Sequence, residues 1–179
     1  MRIFGLIGRS LSHSFSHKYF SKKFYDENIN DCKYINIEIG DVNTIKNIIK
    51  EYNLSGFNVT IPYKETVIPF LDKISNEAKE IGSVNTVQII NNKLYGYNTD
   101  VYGFEKSIYP LLENKRKALI LGSGGASKSV QFVFDKLNID FQIVSRNSKL
   151  DYHNVTKEII EFIDIIVNCT PVGTYPKLN

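Results

Sequence analysis

No stretch of this 179-residue chain approaches the roughly 20 consecutive apolar residues that a membrane helix requires. The start, Met1-Arg2-Ile3-Phe4-Gly5-Leu6-Ile7-Gly8, also lacks a charged leader, a long apolar core and a small-residue cleavage site. It reads as a first strand, so the expectations are a cytoplasmic location and no membrane partner. Metal-binding patterns are missing too. The two cysteines, Cys32 and Cys169, have no ligand partner at a recognisable spacing. His13 and His17 stand four apart, but no glutamate of the His-Glu-x-x-His type lies between them. His153 completes no pattern, and no metal is expected. Net charge is only +3 and the lysines are scattered. A nucleic-acid site would gather basic residues on one face beside stacking aromatics, so no nucleic-acid partner is expected either.

What remains is an ordinary globular composition, 42% hydrophobic, cut into strand and helix patterns. Arg2–Ile7 reads as a buried strand and Ser14–Asp26 as a helix with Ser14 as its N-cap. Tyr34–Ile39 alternates as a half-buried strand, with Ile35, Ile37 and Ile39 opposite Tyr34, Asn36 and Glu38. Asp41–Tyr52 carries one apolar helical stripe. Gly56–Ile61 is a strand ended by Pro62, and Ser75–Ile81 is a short helix. Val84–Ile90 and Leu94–Asn98 form a hairpin around Asn91-Asn92. Val101–Leu112 is a helix whose last turn Pro110 is expected to break. Beyond it, Lys117–Leu121, Phe141–Val144 and Ile163–Val167 are strands, with helices over Ala126–Leu137 and Val155–Glu161 between them. Such alternation implies a parallel sheet with helices on its faces. The expected organisation is α/β throughout, with one domain over 1–100 and a second over 101–179.

Two stretches carry chemistry. Leu119-Ile120-Leu121-Gly122-Ser123-Gly124-Gly125-Ala126-Ser127 is a strand, a glycine loop and a helix start. Small residues there let the backbone approach a pyrophosphate, which helix N–H groups can bind. The bland alternative is a tight strand-to-helix turn. The next strand runs into Ser145-Arg146-Asn147-Ser148-Lys149 and carries no carboxylate to bind a ribose 2′-hydroxyl. Arg146 and Lys149 stand where a 2′-phosphate would lie, which points to NADP(H). In Leu54-Ser55-Gly56-Phe57-Asn58-Val59-Thr60-Ile61-Pro62-Tyr63-Lys64-Glu65, Asn58 and Thr60 share a strand face, and Lys64 follows the proline. An amide, a hydroxyl and an ammonium at one strand end suit a polyhydroxylated acid, although the lysine alone reads equally as a surface charge. Asp100 reads as a helix N-cap that could also hold a lysine in place across a cleft.

Ser12-His13-Ser14-Phe15-Ser16, Asn58-Val59-Thr60-Ile61-Pro62-Tyr63-Lys64-Glu65, Val84-Asn85-Thr86, Asn98-Thr99-Asp100 and Gly122 to Ser127 resemble, in order and spacing, the motifs of shikimate dehydrogenases. Asn168-Cys169-Thr170-Pro171-Val172-Gly173 looks like a sixth. The lysine motif is specific to that family, while the glycine loop is not. The resemblance implies an N-terminal α/β substrate domain followed by an incomplete Rossmann-like, doubly wound NADP-binding domain. It implies NADPH-dependent reduction of 3-dehydroshikimate to shikimate, in the pathway to the aromatic amino acids. Ser14 and Ser16 would bind the substrate carboxylate; Asn58, Thr60, Asn85 and Asp100 the ring hydroxyls. Lys64 and Asp100 would be the catalytic pair. Gly122, Ser123, Gly124, Gly125 and Ala126 would cradle the pyrophosphate, Ser145, Arg146 and Lys149 the 2′-phosphate, and Thr170 would join the cofactor set.

The chain departs from the family at His17-Lys18-Tyr19, where many members have proline, and in lacking the family's C-terminal part, which supplies a glutamine to the substrate. A truncated or incompletely recorded protein is therefore the expectation. Three alternatives stay open: a quinate/shikimate dehydrogenase of broader specificity, a ligand-binding module without turnover, and an incomplete domain that associates with another chain through its open sheet edge; a homodimer is a separate expectation.

Overall fold

The protein is described here by a computed structural model covering residues 1–173. The chain divides after Asn98 into two compact units, the second beginning at Thr99.

The first unit contains β1 (Arg2–Gly8), α1 (Ser16–Asp26), β2 (Cys32–Glu38), α2 (Ile45–Glu51), β3 (Leu54–Val59), β4 (Lys73–Ile74), α3 (Asn76–Ile81), β5 (Thr86–Ile90) and β6 (Lys93–Tyr97). They build one sheet in the order β2-β1-β3-β5-β6-β4. β1, β2 and β3 are parallel, and β5 runs antiparallel to β3 and β6. Parallel strands must bury both faces. On one face Ile7, Ile37, Phe57, Val59 and Val87 join Ile45 of α2 in the main core. On the other, Leu6, Leu11 and Tyr34 pack against Phe20 and Phe24 of α1. Sequence alternation makes Ile35, Ile37 and Ile39 the buried side of β2. The structure buries Tyr34 as well, at 3% exposure, because the α1 aromatics cover its face. The β5–β6 hairpin turns on Asn91 and Asn92 at φ 50° and 60°, the double left-handed geometry that such two-residue turns require.

Several boundaries differ from the sequence expectations. α1 starts at Ser16 with Phe15 in the N-cap position, while Ser14 lies in a turn whose N–H donates to the Leu11 carbonyl (2.9 Å). The expected helix over 41–52 is a 3-10 turn, Val42–Thr44, followed by α2, with the Asp41 side chain accepting from the Asn43 N–H. α3 follows expectation: the Ser75 hydroxyl accepts from the Ala78 N–H, and Gly82 closes it at φ 67°.

The second unit contains α4 (Asp100–Leu112), β7 (Lys117–Leu121), α5 (Gly125–Lys136), β8 (Asp140–Val144), α6 (Lys157–Glu161) and β9 (Ile165–Asn168). The three strands are parallel in the order β8-β7-β9. β8 and β9 flank β7 on opposite sides, so β7 is the point at which the strand order reverses. α4 runs through Pro110 to Leu112. Proline removes one N–H, but Phe104, Ile108 and Leu112 pack into the core formed by Phe134, Val130 and Ile120, and this packing carries the last turn. The Phe104 and Phe134 rings meet edge to face at 5.6 Å. Thr99, not Asp100, occupies the N-cap of α4; Asp100 is its first helical residue, where a carboxylate still complements the helix dipole. β9 was expected inside a sheet; among the described residues it pairs with β7 alone, and Ile166 is 55% exposed.

Asp164 pins the start of β7. Its carboxylate accepts from the Arg116 and Lys117 N–H groups at 2.9 and 3.0 Å, which hold it below the usual carboxylate range. A lowered native value means that the ionised form stabilises the fold above the ordinary pKa of about 4 and that this contribution fades as pH falls below it. Asp164→Ala is therefore expected to melt below the parent at pH 7, with the gap narrowing under pH 4 in thermal melts. A gap independent of pH would contradict the charge-based account.

Candidate functional site

The carboxyl ends of β1 and β3 and the start of β5 lie at one edge of the first sheet. The loop leaving β1 is held there by β2: the Leu11 N–H donates to Glu38 Oε1 at 2.5 Å, and Asn36 Nδ2 donates to the Leu11 carbonyl at 3.4 Å. Ser14 Oγ accepts from the Ser16 N–H at 3.2 Å, which leaves the Ser14 hydroxyl hydrogen to donate. Gly8 admits the end of β3, since a Cβ at Gly8 would sit 2.7 Å from Thr60 Cγ2. The Thr60 N–H donates to the Ile7 carbonyl (2.9 Å), and the Thr60 carbonyl accepts from Tyr63 across the cis Ile61–Pro62 bond (2.9 Å). The next residue is Lys64, half-buried, whose carbonyl accepts from the Val84 N–H at 2.8 Å. Lys64 is thereby tied to the segment that carries Asn85.

Asn58 joins these pieces. Its Nδ2 faces a backbone carbonyl, that of Asn85, at 3.3 Å, and the Thr86 hydroxyl at 3.0 Å. Its Oδ1 accepts from the Tyr34 hydroxyl at 2.8 Å. Thr86 in turn donates to Asn85 Oδ1 at 3.0 Å. The Tyr34 ring stacks on Phe20 at 4.4 Å. Burial pushes its phenol up to about 12, partly offset by the neighbouring Ser16 side chain. The structure thus ties Asn58 to Tyr34 and, through Thr86, to Asn85; neither Tyr34 nor Thr86 was among the expected site residues. The α1 aromatic stripe was the one available signal for Tyr34, since something on β2 had to lie beneath it.

In the second unit, β7 ends in Gly122 at φ 102°. A Cβ there would lie 3.0 Å from Thr170 Cγ2 and 3.2 Å from the Cys169 carbonyl oxygen, so glycine alone lets the loops after β7 and β9 touch. Gly124 caps α5 with no side-chain hydrogen bond and has open space where a Cβ would be. The first N–H groups of α5 thus receive no side-chain cap, and Ser123 is exposed. Gly125 and Ala126 begin the helix, and Ser127 is fully buried, accepting from Gln131 Nε2 at 2.9 Å. After β8, Ser145 is buried and its Oγ accepts from the Asn147 N–H at 3.3 Å, while Arg146 and Lys149 are exposed. Thr170 donates to Asn168 Oδ1 at 2.7 Å. Burial pushes the Cys169 thiol up to about 11, which keeps it protonated at neutral pH. Asp100, half-buried, belongs to this unit, whereas Lys64 belongs to the first.

A polar edge on one α/β unit and an uncapped glycine turn at a strand-order reversal on another are parts that dinucleotide-dependent α/β enzymes use. Residues 6–87 match the shikimate dehydrogenase substrate binding domain. The chain is 40% identical to the shikimate dehydrogenase (NADP(+)) of Clostridium beijerinckii, over 100% of this chain and 71% of that protein. The crystal structure of shikimate dehydrogenase 1 from Peptoclostridium difficile is 39% identical, with a TM-score of 0.87 over 100% of this chain and 70% of that one. The Thermus thermophilus shikimate 5-dehydrogenase, solved in complex with NADP(H) and shikimate, is 27% identical with a TM-score of 0.78, over 97% and 70%. This chain belongs to the shikimate dehydrogenase family.

Gly122→Ala is expected to destabilise the second unit by about 1–3 kcal/mol, since the new Cβ meets both left-handed backbone strain and the Cys169–Thr170 loop. Urea unfolding measures this; a midpoint equal to the parent's would contradict the close packing.

Proposed function

We propose that this chain interconverts 3-dehydroshikimate and shikimate with NADP(H). The observation that carries the reading is the hydrogen-bonded edge running from Tyr34 through Asn58 to Thr86 and Asn85. Its amides and hydroxyls have the mixed donor and acceptor character that a ring with several hydroxyls needs. Ser14 and Ser16 bind the substrate carboxylate, and Asn58, Thr60, Asn85 and Asp100 take the ring hydroxyls.

The second unit fits NADP(H). Gly122 through Ala126 offer backbone N–H groups to a pyrophosphate, with room at Gly124 for its approach. Ser145, Arg146 and Lys149 hold the 2′-phosphate, and no carboxylate at the end of β8 repels it. Thr170 borders Gly122. Bound NADPH supplies the hydride. The protein supplies position and a proton. As the ring ketone is reduced, negative charge grows on its oxygen, and Lys64 as an ammonium donates a proton there. Asp100 is the carboxylate member of the proposed catalytic pair. In the oxidative direction neutral Lys64 takes the proton back. The same reading includes a cytoplasmic location, no nucleic-acid or membrane partner, and a homodimeric assembly. No helix among the described residues is long and apolar enough to cross a membrane.

Lys64→Ala is expected to slow NADPH oxidation by 3-dehydroshikimate about 10²- to 10⁴-fold while retaining most shikimate affinity. Parental turnover in this variant would remove the assigned role. Arg146→Ala is expected to weaken NADP⁺ binding about tenfold or more, the worth of one charge-assisted hydrogen bond, with little effect on NAD⁺. Titrating both nucleotides decides it; an unchanged ratio of affinities would place the 2′-phosphate elsewhere.

A further inference from the structure

The structure assigns Ser148, a residue outside the expected site, the task of closing the loop that carries Arg146 and Lys149, which makes it a positioning residue for the choice of NADP(H) over NAD(H). This role rests on the NADP(H) reading above and deepens it.

After β8 the chain turns back on itself, and Leu150 meets Val144 in an isolated parallel bridge. Arg146 and Lys149 are exposed, and among the described residues neither has a hydrogen-bond or ion-pair partner. Their placement therefore depends on the backbone that carries them. Three of the ties in that backbone are long. The Ser145 N–H reaches the Leu150 carbonyl at 3.3 Å, the Ser148 N–H reaches the Ser145 carbonyl at 3.4 Å, and the Asn147 N–H reaches Ser145 Oγ at 3.3 Å. All exceed the roughly 2.7–3.2 Å of a well-formed N–H···O bond. The two short ties both pass through one atom, Ser148 Oγ. It accepts from the Ser145 N–H at 2.8 Å and donates to the Leu150 carbonyl at 2.6 Å. The Ser145 carbonyl, at 3.1 Å, is its alternative acceptor. A hydroxyl both donates and accepts, so one half-buried side chain can bind the two ends of the loop at once. Ser148 is a clasp between residues 145 and 150, with Arg146 and Lys149 inside the span it closes.

The two nucleotides differ only in the phosphate on the adenosine ribose, so only NADP(H) calls on these cations. Two cations hold one phosphate together only while both stay within its reach. An open loop lets them drift apart, and NADP(H) affinity then falls with the closed fraction. NAD(H) makes no use of them and is indifferent to the clasp.

The test titrates NADP⁺ and NAD⁺ into the full chain by calorimetry, for the parent, Ser148→Ala and Ser148→Thr. Exchange of the Ser145 amide hydrogen is followed by NMR without nucleotide. Losing the clasp is worth about one hydrogen bond, so Ser148→Ala is expected to bind NADP⁺ about tenfold more weakly and to exchange the Ser145 amide about tenfold faster. NAD⁺ affinity is expected to stay at the parental value. Ser148→Thr keeps the hydroxyl and is expected to restore both readouts. Equal weakening of both nucleotides overturns the role, because a residue that only holds the fold acts on both alike. Parental NADP⁺ affinity in Ser148→Ala overturns it too, as does a threonine variant as weak as the alanine one. A parent chain that binds NADP⁺ no tighter than NAD⁺ instead overturns the NADP(H) reading of this loop, and the role of Ser148 with it.

Discussion

One carboxamide, that of Asn58, touches three strands, and the order of the first unit's polar edge depends on it. It sits near the end of β3, bonded on one side to Tyr34 of β2 and on the other to Asn85 and to Thr86 of β5. Even a half-buried amide left unmatched costs stability. The edge is therefore stable only when every partner is in register. The backbone agrees with the side chains, because Val59 donates to the same Asn85 carbonyl at 2.8 Å. Side-chain hydrogen bonding and strand register thus reinforce one another.

The second unit reaches its order by a different route. Its candidate site depends on closeness of backbone more than on a network of side chains. Gly122 lets the loops following β7 and β9 meet, and Gly124 leaves space at the start of α5. The apolar seal between α4 and α5 then holds the glycine turn against a firm base. Rigid backbone donors of this kind suit a phosphate, whose charge is the same from every direction, while the directed amides of the first unit suit a ring whose hydroxyls differ only in position.

Much of this was legible along the chain. The strand-glycine-helix run at Gly122, the missing carboxylate after β8 and the hairpin at Asn91-Asn92 are local features, and local sterics decide them. The ends of α1 and α4 were less legible. Ser14 has the chemistry of a cap, but the cap position falls to Phe15 at α1 and to Thr99 at α4. Pro110 read as a break, yet packing on α5 outweighed one missing bond. Tyr34 escaped notice because alternation along β2 placed it opposite the isoleucines, and alternation describes one strand without knowing what covers its other face.

The order of residues along the chain was enough to determine the α/β class, the family and the kinds of chemical group available, because each follows from short-range spacing and residue type. Which amide end faces which partner was decided only by the folded sheet. Hydrogen-bond direction depends on the neighbour across the strands, and Asn58 is 24 residues from Tyr34 and 28 from Thr86.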